Sequence, residues 1–310
     1  MPRGSTPSQA AAALKAGGLV ILPTETVYGL GADAGAPGAV ARLYEAKGRP
    51  RFNPLIAHVT GTAAAERLAV FDDRARALAE RFWPGPLTLV LPFRAGGGVC
   101  DLARAGLDTV AVRAPAHRGA QAVLEAFGGP VVAPSANRSG RPSPTTFEDA
   151  MEETGFAAAA AVDGGPCPVG LESTVVACLG AAPQLLRPGG LERDRIEAVV
   201  GPLADAETDA RRSPGRLARH YAPEAPLRLE ADEPRPGEAF LAFGPASPPG
   251  PLVWNLSPAA DLHEAAANLF AALRAADRAR PVGIAVAPLP RHGLGEAIHD
   301  RLKRAAGFVG

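Results

Sequence analysis

The sequence predicts an α/β protein built from two domains. Short apolar runs bounded by Pro and Gly alternate with amphipathic helical patterns, and polar residues repeatedly follow the ends of the apolar runs. The pattern changes at Pro226, after an irregular stretch rich in Pro, Gly, Asp and Arg. A length of 310 residues gives room for two cores. We predict a first domain at 1–200, a linker at 201–226 and a small α/β domain at 227–310.

The first domain is predicted to begin with a capped helix and a buried strand. Residues 5–8 can cap an Ala-rich helix, and the apolar run at 19–22 ends at Pro23. Residues 38–47 place an apolar stripe on one helical face, and Gly48 suits the cap at the carboxyl end of that helix. The same alternation predicts helices at 72–83, 117–127 and 191–200, and strands at 55–59, 87–91, 109–113, 131–133 and 184–187.

The second domain is predicted from the same two patterns, short apolar runs and amphipathic helices. The longer of its two helices has an apolar stripe through Leu262, Ala266, Leu269 and Leu273. No catalytic constellation is visible in it. Its predicted strands are 227–229, 239–243, 252–255 and 282–287, and its helices are 261–279 and 295–306.

Composition narrows the class of protein. The net charge is zero, so a broad electrostatic surface for nucleic acid is not expected. Cys100, Cys167 and Cys178 lack the paired spacing of a metal site, and we expect reduced thiols in a cytoplasmic protein. The sequence has no apolar run of about 18 residues, so we expect no membrane span. The first residues lack the apolar core of a signal peptide.

A cationic segment follows the predicted helix at 38–47. Lys47, Arg49 and Arg51 are spaced two apart, and in an extended chain they would project to one face. Such a face suits a polyphosphate. The alternative is a solvated basic turn. Lys is scarce in this chain, at 15, 47 and 303 only, which favours a specific use of Lys47.

Polar side chains lie at the ends of several predicted strands. Thr24 and Thr26 follow the first strand, and Arg113 ends the strand at 109–113. We expect these side chains to bind a ligand. The alternative for the two threonines is that they only form a turn. His58, inside an apolar strand, is either a ligand contact or a satisfied core residue.

Two loops add further candidates. The Pro-rich loop 134–146 contains Ser135, Asn137 and Ser143, whose oxygens and backbone amides suit phosphate and ribose groups, although an ordinary flexible loop is the alternative. In the linker, His220 and Tyr221 are either recognition side chains or an anchor on a domain surface.

Taken together, these segments resemble the YrdC-type threonylcarbamoyl-AMP synthases, in the longer form with an extra C-terminal domain. The matching stretches span residues 23–223 and keep the order found in the family: PTETVYGLG, KGRPRFNPLIAH, FWPGPLT, DTVAVRAPAH, APSANRSGRPSPT, GLESTVV, LLRPGG and HYAP. The resemblance implies a twisted mixed α/β sheet with a concave, cationic cavity, and we expect the C-terminal domain to be Rossmann-like.

The resemblance also implies an activity. L-threonine and bicarbonate form a carbamate that attacks the α-phosphate of ATP, giving threonylcarbamoyl-AMP and pyrophosphate. The product serves the modification of adenosine 37 in tRNAs that read ANN codons, through a downstream tRNA threonylcarbamoyltransferase complex. We expect Mg²⁺ with the nucleotide, and no protein ligands to a metal are identifiable.

The family's motif positions carry over to two groups of residues here. The threonine site would contain Thr26, His58, Arg113, Ala133 and Ser173. The ATP site would contain Arg49, Asn53, Thr109, Ser135, Ser143, Arg187 and Tyr221. Lys47 and Arg49 would be catalytic, with Lys47 on the phosphates, and the segment containing Tyr221 would cover the cavity as a lid.

Two other classes of function are weaker candidates. An RNA-binding module is disfavoured by zero net charge and 5% aromatic residues, so direct tRNA binding would be secondary. A domain of the hydrogenase-maturation type would bring zinc-finger cysteine pairs, and the sequence has none.

Overall fold

Two β-sheets organise the part of the chain that the computed structural model describes, residues 4–205 and 221–307. The predicted linker lies mostly outside these ranges, and so does His220. Each sheet has its own hydrophobic core.

The first sheet is mixed and, over the described residues, ten-stranded. Its strands are β1 Leu19–Leu22, β2 Gly29–Asp33, β3 Ile56–His58, β4 Leu87–Pro92, β5 Thr109–Arg113, β6 Val131–Val132, β7 Ala158–Ala161, β8 Thr174–Ala177, β9 Gln184–Arg187 and β10 Ala204–Asp205. They lie in the order β10-β9-β8-β4-β5-β3-β6-β2-β1-β7.

The register at the centre of this sheet positions two candidate residues. β3 and β5 are parallel, with His58 opposite Arg113. β6 runs antiparallel to β3 and β2, and β4 runs antiparallel to β5. Because His58 and Arg113 are the last residues of two parallel neighbours, both lie at the same edge of the sheet.

Helices cover this sheet, and local sequence explains where several of them begin and end. They are α1 Pro7–Lys15, α2 Pro37–Lys47, α3 Thr62–Ala65, α4 Asp73–Phe82, α5 Asp101–Arg104, α6 Arg118–Phe127, α7 Phe147–Thr154 and α8 Arg193–Val200, with a short 3-10 helix at Gly155–Ala157. Thr6 caps α1, and Asp72 caps α4. Gly48 ends α2 in the left-handed conformation, with φ of 58°.

The second sheet is parallel throughout its four described strands. These are β11 Leu227–Arg228, β12 Glu238–Ala242, β13 Val253–Asn255 and β14 Gly283–Val286, in the order β11-β14-β12-β13. Helices α9 Leu262–Arg278 and α10 Leu294–Ala305 pack against it. The core of this domain also includes Val27, Leu171 and Tyr221, so it is continuous with the surface of the first domain.

Most predicted elements are confirmed within one or two residues, but β2, β7, β10, α3, α5 and α7 were not predicted. The β7 sequence is four alanines, a strong helix former, and pairing with β1 determines its conformation. The β2 sequence, GLGAD, has no β-branched or aromatic residue to indicate a strand.

The three cysteines are free thiols, with Cys167 and Cys178 buried and Cys100 half-buried. Burial raises the pKa of the Cys167 and Cys178 thiols to about 12. Among the described helices, none has the length and apolar character needed to cross a bilayer.

Candidate active site

A cavity of about 50 Å³ lies where β3 and β5 end. Nine of the predicted site residues line it: Thr26, Arg49, His58, Arg113, Ala133, Ser135, Ser173, Arg187 and Tyr221. The other lining residues are Val27, Pro54, Leu55, Ile56, Pro134 and Glu172. The structure therefore brings together residues that are up to 195 positions apart (221 − 26) in the sequence.

Arg113 is held rigidly in the wall of this cavity. Its Nη2 forms a 2.6 Å ion pair with Glu25, its Nη1 donates to Thr26 Oγ1 at 2.9 Å, and its Nε donates to the Gly85 carbonyl at 3.1 Å. The second oxygen of Glu25 accepts from the Ala116 amide at 3.0 Å. Burial opposes ionisation of Glu25, but the Arg113 charge outweighs it, and the pKa of this carboxyl is lowered. Glu25 was not predicted as a site residue.

His58 is buried and neutral. Its Nδ1 lies 3.1 Å from the carbonyl oxygen of Ile56. Burial, reinforced by the positive charge of Arg113, lowers the pKa of His58 to about 3. His58 is thus a satisfied core residue, and it also faces the cavity, where it could contact a ligand.

Ser173 and Arg187 form a second polar group, at strands β8 and β9 on the far side of β4 from β5. Ser173 Oγ lies 2.7 Å from Thr88 Oγ1, and Arg187 Nη2 donates to the Ser173 carbonyl at 2.8 Å. Ser173 directly precedes β8, Arg187 ends β9, and the antiparallel pairing of these strands brings the two residues together. Burial lowers the pKa of the Arg187 guanidinium.

The prediction that Lys47, Arg49 and Arg51 share one extended face is wrong. Lys47 is the last residue of α2, and the left-handed turn at Gly48 redirects the chain before Arg49. Lys47 is buried, Arg49 is half-buried and Arg51 is exposed. The alternative of a solvated turn is wrong for Lys47, since this residue is 3% exposed.

The Lys47 ammonium instead joins α2 to the Pro-rich loop. Nζ donates to the carbonyl oxygens of Ser135 and Asn137. Burial, together with the positive charge of Arg49, lowers the pKa of Lys47 well below its usual value. Burial also lowers the pKa of Arg49 to about 10. Arg49 Nη2 donates to the Pro54 carbonyl at 3.2 Å, while its buried Nε has no hydrogen-bond partner within residues 4–205 and 221–307.

The remaining predicted residues do not line the cavity. Asn53 is buried next to Pro54, and its carbonyl accepts from Tyr44 at 2.9 Å. Thr109 is four residues before Arg113 on the same face of β5, roughly 13 Å along the strand. Ser143 is fully buried and donates to Glu172 Oε1.

Tyr221 closes the cavity on the side of the C-terminal domain. It is 1% exposed, and its ring centroid lies 5.5 Å from that of Phe270 on α9. The guanidinium of Arg301 on α10 lies 5.2 Å from the centre of the Tyr221 ring. The interpretation of Tyr221 as an anchor on a domain surface is therefore confirmed, and its ring also forms part of the cavity wall.

A larger cavity of about 580 Å³ lies elsewhere, between the end of β3 and α6. It is lined by Thr60, Arg67 and Glu125 among mostly small or apolar residues, and it contains none of the predicted site residues. The smaller cavity has the convergent arginines, the neutral histidine and the buried carboxylate. We therefore take the smaller cavity as the candidate active site.

Comparison with known proteins finds two family models that match consecutive parts of the chain. The Sua5/YciO/YrdC family, described as "Telomere recombination", matches residues 12–189, and a family described as the C-terminal domain of threonylcarbamoyl-AMP synthase matches residues 191–307. A protein of Bacillus subtilis named threonylcarbamoyl-AMP synthase is 40% identical over 97% of this chain and 92% of its own length. A protein of Pyrococcus abyssi with the same name is 40% identical over 96% and 93%.

Solved structures agree with the sequence matches. The crystal structure of P. abyssi Sua5 complexed with L-threonine has a TM-score of 0.90 and 40% identity, and covers 97% of this chain and 94% of that chain. The structure of E. coli YciO, at 22% identity and a TM-score of 0.52 over 59% of this chain, shares the fold. The chain belongs to the Sua5/YciO/YrdC family, in the long form that carries a C-terminal domain.

Proposed function

We propose that this chain is a threonylcarbamoyl-AMP synthase, a nucleotidyltransferase that uses L-threonine, bicarbonate and ATP. The observation that carries the proposal is 40% identity to proteins of that name over nearly the full length of both chains. The product would be passed to a downstream tRNA threonylcarbamoyltransferase complex in the cytoplasm for modification of adenosine 37.

The threonine site comprises Thr26, His58, Arg113, Ala133 and Ser173 in this proposal. Arg113 binds the substrate carboxylate, since its guanidinium is fixed by Glu25 and Thr26 and can present paired N–H groups. His58, with a pKa of about 3, is too weak a base to take a proton from the threonine ammonium. It serves as a neutral hydrogen-bonding group.

The ATP site comprises Arg49, Asn53, Thr109, Ser135, Ser143, Arg187 and Tyr221. Arg49, Arg113 and Arg187 line one cavity, which supports a cationic site for a triphosphate. Arg49 has a buried Nε–H without a hydrogen-bond partner in the described part of the chain, and a phosphate oxygen would satisfy it. A phosphate beside Lys47 would favour its ammonium form, because a nearby anion stabilises the positive charge.

The reaction proposed for this site needs positioning more than acid–base chemistry. The threonine nitrogen and bicarbonate form a carbamate with loss of water. A carbamate oxygen then bonds to the α-phosphorus, and the bond to the bridging oxygen breaks as pyrophosphate leaves. Lys47 and Arg49 would offset negative charge that develops on the phosphates.

Mg²⁺ is expected to arrive on the triphosphate. Glu172 is the carboxylate that lines the cavity, and its two oxygens already accept hydrogen bonds from Arg301 and Ser143. It is therefore not suited to bind a metal ion. No cluster of three or more potential metal-binding side chains occurs in 4–205 or 221–307. We assign no reaction step to the ion.

We retain the predicted division into a catalytic domain, a linker or lid at 201–226 and a Rossmann-like C-terminal domain. The parallel four-stranded second sheet supports the last assignment.

A lid is supported by the size of the cavity. About 50 Å³ is too small for ATP and threonine, since pockets for ligands of drug size measure about 300–1,000 Å³. Tyr221, in the wall, would have to move outward to admit the nucleotide.

Pyrophosphate release tests the proposed function. The full chain is assayed with ATP, threonine and bicarbonate, and each is then omitted in turn. We expect release only when all three are present. Release that is unchanged without threonine would contradict the proposal. For the lid, limited proteolysis within 212–222 should decrease when ATP and threonine are added together.

A further inference from the structure

A buried ion pair joins the C-terminal domain to the wall of the cavity. Arg301 on α10 is fully buried, and its Nε lies 2.8 Å from Oε2 of Glu172. Glu172 is 7% exposed and lines the cavity. The two residues are 129 positions apart in the chain.

The same ion pair contacts two residues of the proposed ATP site and the chain neighbour of a third. Oε1 of Glu172 accepts the hydrogen bond from Ser143. Arg301 Nη1 donates to the carbonyl of Pro188, the residue after Arg187, at 2.9 Å. The Arg301 guanidinium also lies against the Tyr221 ring.

A second buried arginine of the C-terminal domain reaches the same segment. Arg274 on α9 is 5% exposed, and its Nη2 donates to the carbonyl of Pro142, the residue before Ser143. Its Nη1 lies 3.1 Å from Glu153. Ser143 is thus held from its backbone side by Arg274 and from its hydroxyl side by Glu172.

The charge of Glu172 makes the contact with Arg301 matter for ligand binding. Burial opposes ionisation of this carboxyl, but Arg301 and Arg187 outweigh it, and the pKa of Glu172 is lowered. An ionised carboxylate in the wall would repel a triphosphate unless a cation offsets it. Asp300, which also contacts Arg301, is paired with Arg304 at 2.9 Å.

We propose that Arg301 is a positioning residue that the C-terminal domain supplies to the nucleotide half of the site. It neutralises Glu172, and through Glu172 it fixes the Ser143 hydroxyl in place. This inference rests on the proposed function for the identity of the nucleotide.

Three variants of the full chain test it: Arg301→Met, Glu172→Gln, and the two combined. In Arg301→Met the unpaired carboxylate faces the nucleotide, and we expect KM for ATP to rise on the order of tenfold or more. KM for threonine should change far less. Glu172→Gln keeps an oxygen for Ser143, so the double variant should recover much of the lost ATP affinity. A role in stability alone would give no such recovery in KM.

Two further variants keep the test decisive. Glu296 lies on α10, like Arg301, and forms a different ion pair between the domains, with Arg193 on α8. Glu296→Gln removes that pair. It should leave both KM values near those of the unmodified chain. If Arg301→Met does not fold, Arg301→Lys retains the positive charge and should show a smaller loss of ATP affinity, in the same direction.

The inference is overturned if the Arg301 variants weaken ATP and threonine equally, or if Glu172→Gln fails to rescue Arg301→Met. Calorimetric titration with ATP measures the same ranking of variants without turnover. An unmodified chain that binds ATP but releases no threonine-dependent pyrophosphate would refute the proposed reaction. The order of ATP affinities among the variants would still test the role of Arg301.

Discussion

Arg113 combines the features of a fixed anion-binding group. The residue is 3% exposed, and its guanidinium is oriented by a carboxylate, a hydroxyl and a carbonyl. Such an arrangement removes the rotamer freedom that a surface arginine would lose on binding. A carboxylate ligand therefore meets a preformed partner.

Replacement of Arg113 should separate the two substrates. Arg113→Ala is expected to weaken threonine binding by about 2–4 kcal/mol, because one partner of a buried charge pair is removed, and to change ATP binding much less. Calorimetric titration of each substrate measures both effects. Arg113→Lys, which keeps a charge for Glu25, is the control for folding. Equal losses for the two substrates would refute the assignment.

His58 should make stability depend on pH. Its pKa is about 3 in the folded chain and about 6.5 when unfolded, so between these values the unfolded chain binds a proton that the folded chain does not. Stability therefore falls as the pH decreases from 7 to 5, by about 2 kcal/mol from this residue. Urea unfolding of the unmodified chain and His58→Gln at both pH values tests this. The loss should be smaller in the variant, and identical losses would contradict the buried, neutral state.

For single residues, the sequence motifs identified candidate site residues but not the charged residues that pair with them. Arg113, His58 and Ser173 are confirmed as neighbours around one cavity. Glu25 and Arg301 received no role, because their charge partners lie 88 and 129 positions away and no local pattern links them. An acidic residue inside a polar motif, such as Glu25 between two threonines, was the available signal.

Among the elements, the end of α2 determines where the cationic side chains point. Lys47 belongs to the helix and Arg49 to the turn after it, with Gly48 between them at φ of 58°. The spacing of two residues predicts one face only in an extended chain. Gly48 was itself predicted as a helix cap, and a left-handed residue there is incompatible with an extended segment through Lys47 and Arg49.

Gly48→Ala should therefore cost stability through backbone conformation alone. No heavy atom lies within 4 Å of the added Cβ, so the expected loss of about 1–2 kcal/mol comes from the left-handed φ. Gly61→Ala is a matched control, since its surroundings are equally open and its φ of 169° is extended. Chemical denaturation of both variants gives the comparison. A loss for Gly61→Ala as large as that for Gly48→Ala would refute the explanation.

Elements with strong local signals were predictable, and those that depend on their neighbours were not. TVAVR in β5 alternates and is enriched in β-branched residues, and its predicted bounds are confirmed. The four alanines of β7 form a strand only because β1 provides hydrogen-bond partners at the edge of the sheet. Local propensity is a weak guide at such positions.

The whole molecule depends on close docking of its two domains. Val27, Leu171 and Tyr221 pack into the core of the C-terminal domain. At Gly170 the first domain meets the backbone of α9 so closely that an added Cβ would lie 2.4 Å from Cα of Ala267. A side chain larger than hydrogen would force the domains apart there.

Gly170→Ala tests this contact against Gly165→Ala. Both glycines have φ of 72°, but Gly165 has open space around its Cβ position. Gly165→Ala should cost about 1–2 kcal/mol for the left-handed backbone. Gly170→Ala should cost about 1–3 kcal/mol more, because α9 must shift. Free energies of unfolding from urea titration measure the difference, and equal values would show that α9 yields without cost.

The sequence predicted both domains but not how they dock. Apolar stripes identify the faces of α9, yet they do not say which surface covers them. The charge pairs across the interface, such as Arg274 with Glu153, join residues 121 positions apart. Only the folded chain brings them together.

The distance in sequence between Glu172 and Arg301 has a consequence for protein synthesis. At ribosomal speeds of about 5–20 residues per second, the 129 positions between them take roughly 6–26 s to translate. During that interval the nascent first domain holds a carboxylate whose cation has not yet been made. Glu172 must then stay hydrated or take up a proton, and the nucleotide half of the site matures after translation of α10.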